Sequence, residues 1–139
     1  MTDLQKIEKS FIIDGDAEME NIEGFIERIS KFSKVDMAGH VVLPNELKRL
    51  SIKDKILLVI ATRFLANRLQ EKLKKEPTIA IEVDRNELAK MLGTKEDVIS
   101  ARLKDLKDER KILSKKAGVF TMAPYYLEPF LSKLEKEKK

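Results

Sequence analysis

Chemistry in this sequence rests on charged side chains: 28 Lys and Arg face 24 Asp and Glu, with a single histidine, His40. A nucleophilic triad needs a His as base, and no Ser stands in a motif that would recruit this one. The absence of Cys removes disulfides and thiolate metal sites. A lone His40 beside Gly39 reads as a surface or half-buried side chain rather than a ligand. Five glycines form neither a phosphate loop nor a dinucleotide fingerprint. Carboxylates abound, but helical charge runs usually face solvent, and no acid–base dyad stands out. The expectation is therefore no catalytic residue, no metal, no cofactor and no enzyme.

What remains is binding through charge, and its distribution says more than its total. Residues 1–43 hold five basic and nine acidic side chains, a balance of −4, so residues 44–139 of this +4 chain carry +8. An acidic front and a basic back suit a polyanion-binding module with something attached; an unevenly charged solvated surface is the plainer alternative. At 139 residues and 42% hydrophobic, the chain can bury a real core as one domain with an appendage. No apolar run approaches the ~18 residues of a membrane span. The opening MTDLQKIEKSF lacks the apolar stretch of a secretory signal, so a cytoplasmic protein is expected.

The elements that must position the basic residues centre on Asn86 to Leu113. Leu88, Ala89 and Leu92 form a short apolar stripe that stops at Gly93; Ile99, Leu103, Leu106 and Ile112 form a second that starts at once after it. Two helices crossing steeply around a tight turn need this spacing, which predicts a helix-turn-helix over Arg85–Leu92 and about 95–110. Asp84 with Glu87 has capping-box spacing, and Gly93 stands where a C-cap glycine belongs. Upstream, the periodicity predicts a short helix over 1–13 and another from Asp16, its N-cap, to Ser33. A hairpin follows, turning at Ala38-Gly39 and ended by Pro44. Ser51 then caps a helix with a wide apolar stripe running to about Lys75, closed by Pro77. TIAIEV, residues 78–83, predicts a strand. Strands over 112–115 and 119–122 come next. Pro124 opens a last helix to Lys136, with Tyr126, Leu127, Phe130, Leu131 and Leu134 inward. The Tyr125-Tyr126 pair suits the start of that helix better than a base-stacking platform. The predicted class is mainly α with a small β component, divided as 1–43, helical extension and hairpin, and 44–139, the helix-turn-helix unit with its C-terminal helix.

Helix, strand, helix, turn, helix and hairpin, from Ser51 to Met122, is the order of the winged helix-turn-helix, and this half of the chain resembles that superfamily. It is most similar to an archaeal type, regarded as DNA-binding regulators, in which a small hairpin precedes text like LSIKDKILLVIATRFLA and NELAKMLGTKEDVISARLKDL. The resemblance implies a recognition helix at about 95–110, entering a major groove of duplex DNA, and a wing carrying Lys115 and Lys116. With Ile99, Leu103 and Leu106 inward, the candidate contacts are Thr94, Lys95, Ser100, Ala101, Lys104 and Lys107. Lys104 and Lys107 would neutralise phosphate, and Ser100 would donate to phosphate or a base edge. Glu96 and Asp97 depart from the pattern: they favour the helix dipole but repel phosphate. Ala101 is a silent contact, Arg102 points sideways and Arg110 sits at the far end.

Several readings follow. A DNA-binding transcription regulator, dimeric through Asp16–Ser33 and Tyr125–Lys136, is the first; those two helices covering the core of one chain is the alternative to the dimer. A winged-helix adaptor within a larger assembly is the second, its acidic face of Glu20, Glu23 and Glu27 meeting a basic protein. RNA binding shares the lysines of the first.

Overall fold

The computed structural model describes residues 3–5, 22–44 and 50–137. The chain is mainly helical with small antiparallel sheets. Helix α1 covers Ile22–Ile29, and the strands β1, Lys34–Val35, and β2, Val41–Val42, form a hairpin. Helix α2 covers Ile52–Lys72; β3, Val83–Asp84, leads into α3, Arg85–Leu92, and α4, Glu96–Asp108. Strands β4, Ile112–Lys116, and β5, Val119–Met122, precede a 3₁₀ turn at Pro124–Tyr126 and the last helix α5, Leu127–Glu137. The helix expected over 1–13 lies almost wholly outside the described residues, as do Asp16 and Glu20.

Ile22, Phe25 and Ile29 are the buried stripe of α1. Beyond Ile29 the backbone tightens, with Phe32 N–H donating to Ile29 O at 2.8 Å, so Phe32 stays buried although the α-helix has ended before the expected Ser33. In the hairpin, Asp36 Oδ1 accepts from the N–H groups of Ala38 and His40, each at 2.9 Å. Those bonds hold the turn, while Gly39 supplies the left-handed φ of +86°.

Helix α2 starts as its cap residue dictates: Ser51 Oγ accepts from Asp54 N–H at 3.1 Å. Rather than a stripe, the whole circumference from Ile56 to Leu65 is buried, because other elements surround it. One hydrophobic cluster joins α1 and the hairpin to everything after them, across the sequence boundary at 43. Polar side chains also enter this interior. Ser33 and Thr62 hydroxyls meet at 2.7 Å, and Thr62 donates to Leu58 O. Arg63, Asn67 and Gln70, at helical spacing, form a buried polar row.

That row explains a difference from expectation. Only Val83 of the predicted strand 78–83 lies in a strand, β3; residues 78–82 are irregular. Gln70 Oε1 accepts from Ile79 N–H at 2.5 Å, Asn67 Nδ2 donates to Ile79 O at 2.8 Å, and Arg63 donates to Ala80 O and Glu82 O at 2.7 and 2.9 Å. Side chains of α2 occupy the backbone groups that a sheet neighbour would have paired.

Strand β5 lies between β3 and β4, with Val83 opposite Phe120 and Ile112 opposite Met122. A register shift between Leu113 and Lys116 bends the β4–β5 hairpin. Helix α5 buries Leu127, Phe130, Leu131 and Leu134. Arg28 of α1 clamps it by binding Glu128 and Glu135, and Lys133 reaches the buried Asp54 at 3.2 Å. Among the described residues, no helix is long and apolar enough to cross a membrane.

Candidate functional site

The lysine-bearing helix is fixed by the helix and turn before it, by the core beneath it and by a contact at its far end. Asp84 caps α3, its Oδ1 accepting from Glu87 N–H at 2.8 Å. Gly93 ends α3 with φ +60°, letting Thr94 N–H bond Ala89 O at 3.1 Å. Ile99, Leu103 and Leu106 of α4 are then buried against α2 and α3, each at 2% exposure or less. At its far end, Lys53 holds the Glu109 carboxylate at 2.6 Å. That hydrogen bond, with Lys111 adding its charge, outweighs burial and keeps Glu109 below the usual carboxylate range.

This anchoring turns one stripe of α4 outward: Glu96, Ser100, Lys104 and Lys107, at successive helical turns. The stripe forms one wall of an open cleft of about 630 Å³. Arg85 and Asn86, from the first turn of α3, form the second wall; Ser114, Ala117 and Gly118 of the β4–β5 hairpin form the third. Leu103 and Phe120 line it as well. Lys104 and Lys107 are exposed, and among the described residues neither has an ion-pair partner.

Glu96, expected to repel phosphate, is partly engaged. Asn86 Nδ2 donates to Glu96 Oε1 at 3.0 Å, and Arg85 Nε lies 3.8 Å from Glu96 Oε2. Arg85 Nη1 also donates to Ser100 Oγ at 3.1 Å. Asp97, by contrast, is exposed and faces a different depression.

The predicted contact residues divide. Ser100, Lys104 and Lys107 come together in the cleft. Ala101 faces the separate depression, beside Ile52, Val98 and Arg102, so it is not adjacent to them. Arg102 pairs with Asp105 at 3.3 Å. Thr94 is half-buried in the turn, its hydroxyl donating to Leu92 O at 3.2 Å, and Lys95 is an exposed N-cap. Lys115 and Lys116 are exposed at the end of β4, outside the cleft lining. No family model, curated protein or solved structure matches this chain.

Arg85 and Asn86 escaped the sequence reading. The available signal was an Arg and an Asn directly after a cap residue, and nothing local tells that they face Glu96 and Ser100. His40 is exposed, and among the described residues no group of three His, Asp or Glu side chains is placed to hold a metal ion. Tyr125 donates its hydroxyl to Arg110 O, while Tyr126 stacks on Phe130 and lies under Lys111 Nζ at 5.1 Å. The cleft offers two ammonium groups without an ion-pair partner among the described residues and a hydroxyl, all on α4, and a guanidinium from α3; such groups are able to bind anions and other hydrogen-bond acceptors.

Proposed function

We propose that this chain is a winged helix-turn-helix protein that binds double-stranded DNA, with α4 in the major groove and the β4–β5 hairpin as the wing, and that it regulates transcription. One observation carries the reading: Lys104 and Lys107 stand exposed, with no ion-pair partner among the described residues, on the outward stripe of a helix whose other face is locked into the core. A rigid rod presenting cations on one side matches a groove wall lined with phosphates. The exposed Lys115 and Lys116 extend the positive edge along the hairpin, where they suit the neighbouring backbone.

Replacing Lys104 and Lys107 with Glu should abolish retention of duplex DNA at low salt. The milder pair of Gln substitutions should lower the slope of log affinity against log salt by about 2, one per lost phosphate contact. Wild-type protein that shows no salt-sensitive retention of duplex DNA removes this reading.

A second reading, an adaptor that docks on a basic protein, is favoured by Glu23 and Glu27, exposed on α1 with no ion-pair partner among the described residues. A homodimer through α1 and α5 would have to use their polar sides, because their apolar residues share one core. Sedimentation equilibrium tests it: a monomer at tens of micromolar removes the dimer.

A further inference from the structure

The geometry points to Arg85, on α3, as the residue that selects sequence, reading a guanine edge while the α4 lysines hold phosphate. This inference rests on the duplex-binding reading and assigns a division of labour within the same cleft.

The two kinds of cation differ in their surroundings. Lys104 and Lys107 have no carboxylate in ion-pair range among the described residues, so a phosphate can pair directly with either ammonium. Arg85 lies 3.8 Å from Glu96 Oε2, and Glu96 is itself held by Asn86 at 3.0 Å. A phosphate brought to Arg85 would be repelled by that carboxylate far more strongly than a neutral base edge. The Glu96 oxygens are also acceptors suited to the exocyclic amine of cytosine, the partner of guanine.

Arg85 is prepared for such a contact. Its Nη1 donates to Ser100 Oγ at 3.1 Å, so the fork is braced from α4 before any ligand arrives. A guanidinium has five N–H donors, and one bond to Ser100 leaves a pair available for the two acceptors guanine shows in the major groove. Bracing reduces the side-chain freedom lost on binding. The residue remains about half exposed, with 55% of its side-chain surface open. A lysine at this position keeps the charge but lacks the planar fork.

Random-site selection, followed by affinity and salt titrations on the selected duplex and its single-base variants, tests the assignment with the full chain. Wild type should enrich sites with at least one required guanine, and replacing that base should weaken binding roughly 10- to 100-fold. Both Arg85→Ala and Arg85→Lys should lose the preference at that position alone, with Arg85→Lys keeping the wild-type salt slope. Circular dichroism establishes that the variants fold, as expected for an exposed side chain. If wild type binds but both variants keep every base preference, the inference is overturned. It is equally overturned if Arg85→Ala weakens all sequences alike and lowers the salt slope by about 1, which is phosphate contact. Absence of salt-sensitive duplex binding by wild type overturns the underlying reading, a result distinguishable from the other two.

Discussion

Arg63 Nη1 lies 2.8 Å from Glu87 Oε2, tying the middle of α2 to α3 through a side chain that is itself 4% exposed. The same guanidinium donates to the carbonyl oxygens of Gly39, Ala80 and Glu82. One buried cation thus joins the hairpin, the irregular segment before β3 and the helix pair that carries the cleft. Removing it strands the buried Gly39 carbonyl and costs the partly exposed Ala80 and Glu82 carbonyls and Glu87 carboxylate their shared partner. Arg63→Ala should cost about 2–4 kcal/mol, a large share of the roughly 5–15 kcal/mol of an ordinary domain, and Arg63→Lys should recover only part of it. Urea denaturation measures both; a loss under about 1 kcal/mol for Arg63→Ala would remove Arg63 from this role.

Gly39 is sensitive for the same reason. A Cβ there would lie 3.0–3.2 Å from three atoms of the Arg63 guanidinium, on a backbone with φ +86°. Gly93 and Gly118 share the left-handed φ, but a Cβ at either meets nothing within 4 Å. Gly93→Ala and Gly118→Ala should each cost about 1–2 kcal/mol of backbone strain, and Gly39→Ala distinctly more. Equal shifts in thermal midpoint for all three would refute the role assigned to the contact.

Left-handed residues also end α2 and α4, where no glycine is present: Lys74 has φ 55° and Arg110 has φ 62°. Each sits in the same capping pattern, Lys75 N–H bonding Gln70 O and Lys111 N–H bonding Leu106 O, both at 3.0 Å. Lys74→Gly and Arg110→Gly should therefore raise stability by about 0.5–1 kcal/mol each, glycine's greater freedom when unfolded offsetting part of the relief. Denaturation midpoints that fall in both variants would contradict this account of the helix ends.

Acid should loosen the molecule through two named carboxylates. Hydrogen bonds from Lys53 to Glu109 and from Arg28 to Glu128 outweigh burial and hold both carboxyls below their usual range. The unfolded chain then binds more protons between the lowered and ordinary values, so stability rises with pH across that window. The contribution is complete above about pH 4.3 and disappears as pH falls through the lowered folded values. Combining Glu109→Gln with Glu128→Gln should flatten the fall in thermal midpoint as pH drops below about 4.3. An unchanged acid limb would assign acid sensitivity to other groups.

Local rules reached far in this chain because many of its decisions are local. Ser51 and Asp84 cap their helices, Gly93 ends α3, Gly39 turns the hairpin, and Ile99, Leu103 and Leu106 face inward. Each depends on groups within four residues or on helical period alone, and both are written in adjacent positions. The β-branched run 78–82 shows where this stops. Its composition favours a strand, but Arg63, Asn67 and Gln70 take its backbone groups from a distance of 9 to 19 positions.

The candidate site divides the same way. Periodicity sufficed to put Ser100, Lys104 and Lys107 on one side of a helix, since a 3.6-residue repeat determines which side chains share a face. The same repeat sets Ala101 about 100° round the helix from Ser100, but it was blind to the approach of Arg85 and Asn86 to Ser100 and Glu96 and to the position of Lys115 and Lys116 beyond the cleft. Those outcomes follow from the angle at which α3 crosses α4 and from the bend of the β4–β5 hairpin, which packing of the whole core decides.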